Sequence, residues 1–421
     1  MAFSALDWQR EIYLNGFAGL STNVPVNFTR LEKNARRTLS KKAFAYIAGA
    51  AGQEVTLQGN QKAFKQYHII PRMLCDVGER ETSTVIFGSA LPSPFLLAPI
   101  GVLELAHRQS DLAVARAAAT LGIPYIFSNQ ASEPMEACAK AMGTAPHWFQ
   151  LYWSKSNDLV ASFVKRAENC GCTAIVVTLD TTMLGWRTRD LDLGYLPFLE
   201  GKGIAQYTSD PVFLEMIGRT ERAASSQKIS IDTMRGVVRM VNRFPGDGFF
   251  NKLRSQLPMK AVQQFIATYS NPRTTWSDLK FLRALTTLPI LLKGILHPDD
   301  ARRALDHGMD GIIVSNHGGR QVDGAITSLD ALPAIVQTVS GRIPVLLDSG
   351  IRSGADAFKA IALGANAVCI GRPYAYGLAC GGERGVYEVI RNFMAEFELT
   401  MGLAGCKNIS EITSDRVAAI H

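Results

Sequence analysis

The stretch Gly311-Ile-Ile-Val-Ser315-Asn316-His317-Gly318-Gly319-Arg320-Gln321 changes character halfway along. Its first half is a short β-branched run, the pattern of a buried strand. Its second half is polar and split by two glycines, which predict a sharp turn with room for a ligand against the backbone. His317 can accept a proton, and Arg320 is a fixed cation three residues later. Just past the end of a strand, the two predict an acid–base site beside an anion site. A polar strand-to-helix loop would use the same residue types, so the rest of the chain must decide.

Outward from this stretch the pattern is regular. Short apolar runs at 94–98, 124–128, 148–152, 174–179, 289–293, 311–315, 344–347 and 367–370 alternate with amphipathic helical stretches such as 158–167, 298–305 and 355–363. Alternating β and α elements imply a parallel sheet, and eight of them in order predict a closed (β/α)8 TIM barrel, an α/β fold; a doubly wound sheet is the rival. Residues 1–88 form an N-terminal helical extension, peripheral over 1–60. Within it, 40–52 carries a helix that stops at its glycines, with Tyr46 readable as a packing residue. One connection breaks the rhythm. After the fourth strand, residues 190–275 far exceed an ordinary βα loop. The whole, 1–421, reads as one domain with this segment as a lid over the site, or as a patch touching a membrane or another subunit. The apolar groups Val237, Val238, Met240, Val241, Phe244, Phe249, Phe250 and Leu253 are expected to be exposed on it.

Barrel enzymes collect polar residues where strands finish. The first strand ends in Pro99-Ile100-Gly101 and the second in Ser128-Asn129-Gln130. The third contains Gln150 and Tyr152, the fourth Thr178 and Asp180 with Arg187 soon after, and the fifth ends in Lys293. A lysine in a buried strand is costly unless it meets an anion. The last two strands end in Asp348-Ser-Gly350-Ile-Arg352 and Gly371-Arg372, where glycine amides and guanidinium groups suit a phosphate. Phosphate at one side and an acid–base pair at the other predict a phosphorylated cofactor across the barrel mouth. Neither a Walker A loop nor a dinucleotide fingerprint is present to favour ATP or NAD.

Composition sets the outer limits. With 47% hydrophobic and 19% charged residues, 421 residues can bury a large core. The start, Met1-Ala-Phe-Ser-Ala-Leu-Asp-Trp-Gln-Arg, has an acid where a signal peptide has its basic region, and no apolar run reaches the ~18–20 residues of a membrane span. Seven scattered cysteines complete no zinc pattern and suggest reduced thiols, hence a cytoplasmic protein. The net charge is +7, but residues 211–260 hold nine Lys/Arg against four Asp/Glu, so the excess is local and no nucleic-acid partner is expected.

These residues resemble the FMN-dependent 2-hydroxy-acid oxidases and dehydrogenases, whose members include glycolate oxidase, lactate oxidase, lactate monooxygenase and mandelate dehydrogenase. The match runs from about Tyr46 to Arg372, apart from the lid. Ser315-Asn-His-Gly-Gly-Arg-Gln321 is its specific signature, and Asp348-Ser-Gly-Ile-Arg352 and Ile370-Gly-Arg-Pro373 support it independently. Trp148-Phe-Gln-Leu-Tyr152 and Leu184-Gly-Trp-Arg-Thr-Arg-Asp190 are most like the members that act on lactate.

The resemblance implies FMN as cofactor and oxidation of a short L-2-hydroxy acid to the 2-keto acid with O2 as acceptor. Coupled decarboxylation, as in a monooxygenase, is one variant. Transfer of electrons to a quinone or cytochrome is another. It implies that His317 takes a substrate proton and Asp180 stabilises the charged imidazole. Arg187 and Arg320 clamp the carboxylate, and Tyr46 and Tyr152 bond carboxylate or hydroxyl. Lys293 lies by the flavin, Pro99, Ile100 and Gly101 face its reactive side, and Ser128, Gln150, Thr178 and Ser315 bond ring and ribityl chain. Asp348, Gly350, Arg352, Gly371 and Arg372 belong to the cofactor site, the last four at its phosphate. A homotetramer is also implied. Two departures stand out: Gln130 at a pocket position usually apolar or aromatic, which suggests a polar or water-filled tail site, and Gly101, which leaves space near the flavin.

Overall fold

Eight short strands hydrogen-bond in one closed parallel ring in chain order: β1 (Phe95–Leu97), β2 (Tyr125–Phe127), β3 (His147–Leu151), β4 (Ile175–Thr178), β5 (Ile290–Ile295), β6 (Gly311–Val314), β7 (Val345–Leu347) and β8 (Ala367–Ile370). This computed structural model describes residues 4–219, 231–246 and 248–420. Every expected apolar run is one of these strands, and the barrel, not the doubly wound sheet, is the fold. The expected helices are present as Asn157–Asn169, Pro298–Asp306 and Gly354–Ala362.

The strands show no alternation of polar and apolar residues because both faces are buried. The alternation is instead between two cores. Leu96, Ile126, Trp148, Val176, Leu291, Ile313, Leu346 and Cys369 fill the barrel interior. Their neighbours, such as Phe95, Tyr125, Phe149, Ile175 and Leu292, pack outward under the helices. An antiparallel hairpin (Thr84–Ile86 with Ser89–Leu91) closes the N-terminal end of the ring. Its turn residue Phe87 lies 5.7 Å from Trp148, centroid to centroid. The period of two then decides the site. Two residues beyond those interior positions stand Ala98, Ser128, Gln150, Thr178, Lys293, Ser315, Asp348 and Gly371, all aimed into the open C-terminal end.

The N-terminal segment corrects two expectations. It is helical only through Lys65, and Tyr67–Ile69 then pairs antiparallel with Val417–Ala419. Nor is it wholly peripheral. Helix Lys41–Ala48, capped by Ser40 and ended at Gly49, buries Ala43, Ala45, Tyr46, Ile47 and Ala48. The chain after it is stitched between two barrel loops, Ala51 N–H to the Gly319 carbonyl and Gly52 N–H to the Trp186 carbonyl. Those bonds draw Tyr46 to the barrel mouth.

The segment after β4 is largely helical among its described residues, and its apolar groups are only partly buried. Tyr207 meets Phe213 and Phe265 edge to face and also packs on Phe163 of the barrel's outer layer. Val241 and Met240 of helix Ile231–Arg243 are buried and Val237, Phe244 and Phe249 half-buried, contrary to the exposure expected; Val238, Phe250 and Leu253 are exposed. The basic excess is partly spent inside the chain, in the pairs Arg219–Glu215, Arg239–Glu200 and Arg243–Glu104. Residues 220–230 and 247 of this segment lie outside the described residues. No helix among the described residues is long and apolar enough to cross a membrane.

Candidate active site

The inward layer at the strand ends is a charge network. Lys293 of β5 donates to Ser315 Oγ at 2.8 Å and pairs with Asp348 at 3.0 Å, all three side chains buried. Burial opposes the lysine's charge, but Asp348 and Asp180 more than offset it and hold the ammonium protonated. Ser315 Oγ also accepts from the His317 N–H at 3.0 Å, which helps fix the left-handed backbone there (φ 58°). His317 Nδ1 lies 2.8 Å from Asp180 Oδ1, and Thr181 Oγ1 donates to the same oxygen at 3.0 Å. The carboxylate therefore fixes the proton on Nδ1 and leaves the Nε2 lone pair free to act as a base. Burial alone would raise the Asp180 carboxyl, but His317, Lys293 and the two hydrogen bonds hold it at about 2. Burial keeps the imidazole below its usual value against the pull of Asp180, with Lys293 and Arg187 pushing the same way. A bulge between Lys293 and Ile295 allows this packing: Gly294 sits at φ 107°, where an added Cβ would stand 3.0 Å from Asp180 Cβ.

Beside this base lies a pair of guanidinium groups. Arg320 Nη1 is tied to the carbonyls of Tyr46 (2.6 Å) and Gly49 (2.8 Å), and the group sits 5.0 Å above the Tyr46 ring. Arg187 Nε donates to the Arg320 carbonyl at 3.3 Å, and its Nη2 to Gln321 Oε1 at 3.2 Å. Burial and the neighbouring Arg187 lower Arg320 to about 9, the mark of a cation in need of an anion. Asp190 is the nearby acid, and its own carboxyl is raised by burial. The Tyr46 and Tyr152 phenols are buried and raised, Tyr152 to about 12, so both stay neutral donors.

The third group stands past β7 and β8. Arg352 and Arg372 are both lowered by burial, Arg352 to about 10 with Arg372 contributing, and among the described residues Arg352 Nε has no hydrogen-bond partner. Two adjacent buried cations fit a phosphate. Gln150 Nε2 and Thr178 Oγ1, on the inward layer, are also buried without partners among the described residues. Orphaned donors along the barrel mouth with an anion site at one end fit FMN. The glycines of the quoted stretch serve otherwise than expected. A Cβ on Gly318 would lie 2.7 Å from Arg372 Nη1, and one on Gly319 2.7 Å from Leu57 N. The turn is there (φ 66° and 77°), but the room it makes is filled by the protein. Gly350 (φ 98°) likewise admits the Asn60 carbonyl, 2.4 Å from where a Cβ would be. Nor does Gly101 open space: the position of its missing Cβ is 3.0 Å from Gln130 Cβ.

One cleft joins these groups. Tyr46, Pro99, Ile100, Gly101, Tyr152, Arg187, Lys293, His317, Arg320, Asp348, Gly350, Arg352, Gly371 and Arg372 line it. Ser128, Gln150, Thr178 and Ser315 stand on the inward layer beneath, and Asp180 behind His317. Sequence reasoning missed Phe198 and Tyr269, cleft walls from the segment after β4, and gave no task to Gln321. Gln321 Nε2 donates to the carbonyls of Asp180 (2.7 Å) and Met183 (2.9 Å) while its Oε1 receives Arg187. It ties the loop after β4 to the loop after β6. Its place directly after Arg320 was the available signal.

Comparison with known proteins points the same way. The family model for FMN-dependent dehydrogenases matches residues 35–419. An L-lactate oxidase from Lysinibacillus sphaericus is 42% identical, covering 91% of this chain and 90% of that one. The FMN-dependent alpha-hydroxy acid dehydrogenase qulF of Penicillium citrinum is 40% identical over 97% and 94%. Among solved structures, mandelate oxidase with (S)-4-hydroxymandelic acid superposes with a TM-score of 0.77 at 36% identity, over 94% of this chain and 98% of that one. With a match that spans the barrel from the helix carrying Tyr46 to the final strand, this chain belongs to the FMN-dependent dehydrogenase family.

Proposed function

We propose that the protein oxidises a short, lactate-like L-2-hydroxy acid to its 2-keto acid, with O2 as the final acceptor. The observation that carries this is the His317–Asp180 pair beside the Arg187–Arg320 pair in one cleft: a base and a carboxylate clamp, the two things a 2-hydroxy acid presents work for. FMN supplies the two-electron acceptor. Its phosphate is assigned to Gly350, Arg352, Gly371 and Arg372, its ring and ribityl chain to Ser128, Gln150, Thr178, Lys293, Ser315 and Asp348, and its reactive side to Pro99, Ile100 and Gly101. Arg187 and Arg320 bind the substrate carboxylate, and Tyr46 and Tyr152 orient carboxylate and hydroxyl. His317 Nε2 accepts a substrate proton as C2 is oxidised, and Asp180 stabilises the imidazolium.

The test is anaerobic bleaching of the flavin by a panel of 2-hydroxy acids, then product analysis in air. Bleaching by L-lactate with oxygen uptake is the expected result; no bleaching by any member would end the proposal. A rate seen only with an artificial acceptor would move it to the dehydrogenase reading. Phe198 and Tyr269 line the cleft from the segment after β4; read as part of a lid, 190–275 within a single domain 1–421, they would retain the keto acid beside peroxide and give acetate rather than pyruvate from lactate. Family membership also supports a homotetramer, read by light scattering, and the cysteine usage a cytoplasmic location.

Gln321 is a positioning residue in this scheme. Gln321→Met keeps the volume and removes the amide that holds Arg187. The loss of one hydrogen bond to a charged group, ~1.5–3 kcal/mol, is expected to raise KM about tenfold or more with kcat nearly unchanged. A lowered Tm with KM intact would make it a brace and nothing more.

A further inference from the structure

One side chain in the cleft takes no part in gripping the carboxylate, moving the proton or holding the flavin. Gln130 lies just past β2, and β2 stands across the eight-stranded ring from β6, after which His317 and Arg320 come. Its backbone is committed: the N–H donates to Ser128 Oγ at 3.1 Å and the carbonyl accepts from Val102 N–H at 2.9 Å. Its carboxamide is not. The residue is 8% exposed and lines the cleft, yet among the described residues its amide has no hydrogen-bond partner. The carbonyl oxygens of the nearby amides are in use: Asn129 Oδ1 accepts from Tyr152 N–H and from the Tyr207 hydroxyl, and Gln150 Oε1 from Asn129 N–H.

Two glycines make room for the residue. A Cβ on Gly101 would press on Gln130 Cβ at 3.0 Å and on its carbonyl at 3.1 Å, so glycine makes room for it from below. From the segment after β4, Gly203 approaches so closely that its missing Cβ would lie 3.0 Å from the Gln130 carbonyl oxygen and 3.2 Å from the Phe198 ring. The cleft's other walls include Ile100, Leu184 and Phe198, which offer no hydrogen bond. The amide faces the cleft, where water can serve it; a substrate that displaces that water without supplying a partner leaves the amide unpaired, and one that supplies the partner does not. A site built this way rejects the analogue that lacks the matching group.

We propose that Gln130 reads the group on the substrate's third carbon, and that the preferred substrate carries a hydroxyl there: a three-carbon 2,3-dihydroxy acid. A carboxamide donates and accepts, as a hydroxyl does; a methyl does neither. This rests on the reaction proposed above and names its substrate class.

The discriminating pair is L-glycerate and L-2-hydroxybutyrate, which differ by hydroxyl against methyl on C3. In the holoenzyme, kcat/KM for flavin reduction is expected to favour L-glycerate about tenfold or more, and Gln130→Met to abolish or reverse that preference. Affinities of the unreactive products, hydroxypyruvate and 2-oxobutyrate, read from the perturbed flavin spectrum, are expected to follow the same order. A wild-type enzyme that prefers 2-hydroxybutyrate overturns the proposal whether or not the variant folds. So does a preference that Gln130→Met leaves unmoved. If L-lactate bleaches the flavin in either case, the hydroxy-acid reaction stands and only the role of Gln130 falls. If no 2-hydroxy acid bleaches it, both fall together.

Discussion

Replacing His317 by alanine is expected to leave FMN bound and to slow anaerobic flavin reduction about 10²–10⁴-fold, the usual worth of a positioned base. Binding should survive because the proposed phosphate end, Arg352, Arg372 and Gly350, is carried past β7 and β8 and does not use the imidazole. Turnover should not, because Nδ1 is held by Asp180 and Nε2 is the free lone pair. The left-handed backbone at 317 calls for a control: His317→Asn tolerates φ 58° better than alanine and should show the same loss. Loss of flavin from both variants would make the histidine structural. The same geometry fixes the sign of the pH dependence. In the proposed reaction the neutral imidazole is the active form, and burial lowers its titration from the ordinary 6.5. The rate should therefore stay level as pH drops to that ordinary value, and fall only beneath it as the ring takes up a proton. An acidic limb centred above 6.5 would contradict a base in this environment.

Arg187→Met is the second large effect. Burial and the neighbouring Arg187 make the Arg320 charge harder to keep, and Asp190 offsets only part of this. A substrate carboxylate between the two guanidinium groups would relieve it. With ~1.5–3 kcal/mol for each lost hydrogen bond to a charged group, KM should rise about ten- to a hundredfold, with kcat changed less. Kd for an unreactive dicarboxylate such as oxalate should rise alongside it. Arg187→Lys keeps the charge without the planar fork and should recover part of the loss. Unchanged affinity in Arg187→Met would refute the clamp.

The barrel was legible because each strand is an apolar run buried on both faces, and its site because inward positions recur every second residue. Lys293, Thr178 and Gln150 fall two residues past Leu291, Val176 and Trp148, so a polar residue there had to face the mouth. Tyr46 was ambiguous: a tyrosine on a helix packs or binds, and only the bonds from Ala51 and Gly52 to distant loops settle where it goes. Gly318 and Gly319 announced a turn, but not that Arg372 and Leu57 would occupy the gap, since those come from remote parts of the chain. Phe198 and Tyr269 carry no local mark at all. Their place follows from a helical segment whose apolar face, read alone, resembled a surface in search of a partner.

The stoppered end of the barrel has a consequence for traffic. With Phe87 and its hairpin seated against Trp148, the floor is packed with side chains. In the reaction proposed above, incoming gas, departing keto acid and peroxide would share the C-terminal doorway, whose walls include Phe198 and Tyr269. Whichever molecule wins that queue sets the fate of the others, so widening the doorway should alter the mixture of end products before it alters the speed of oxidation.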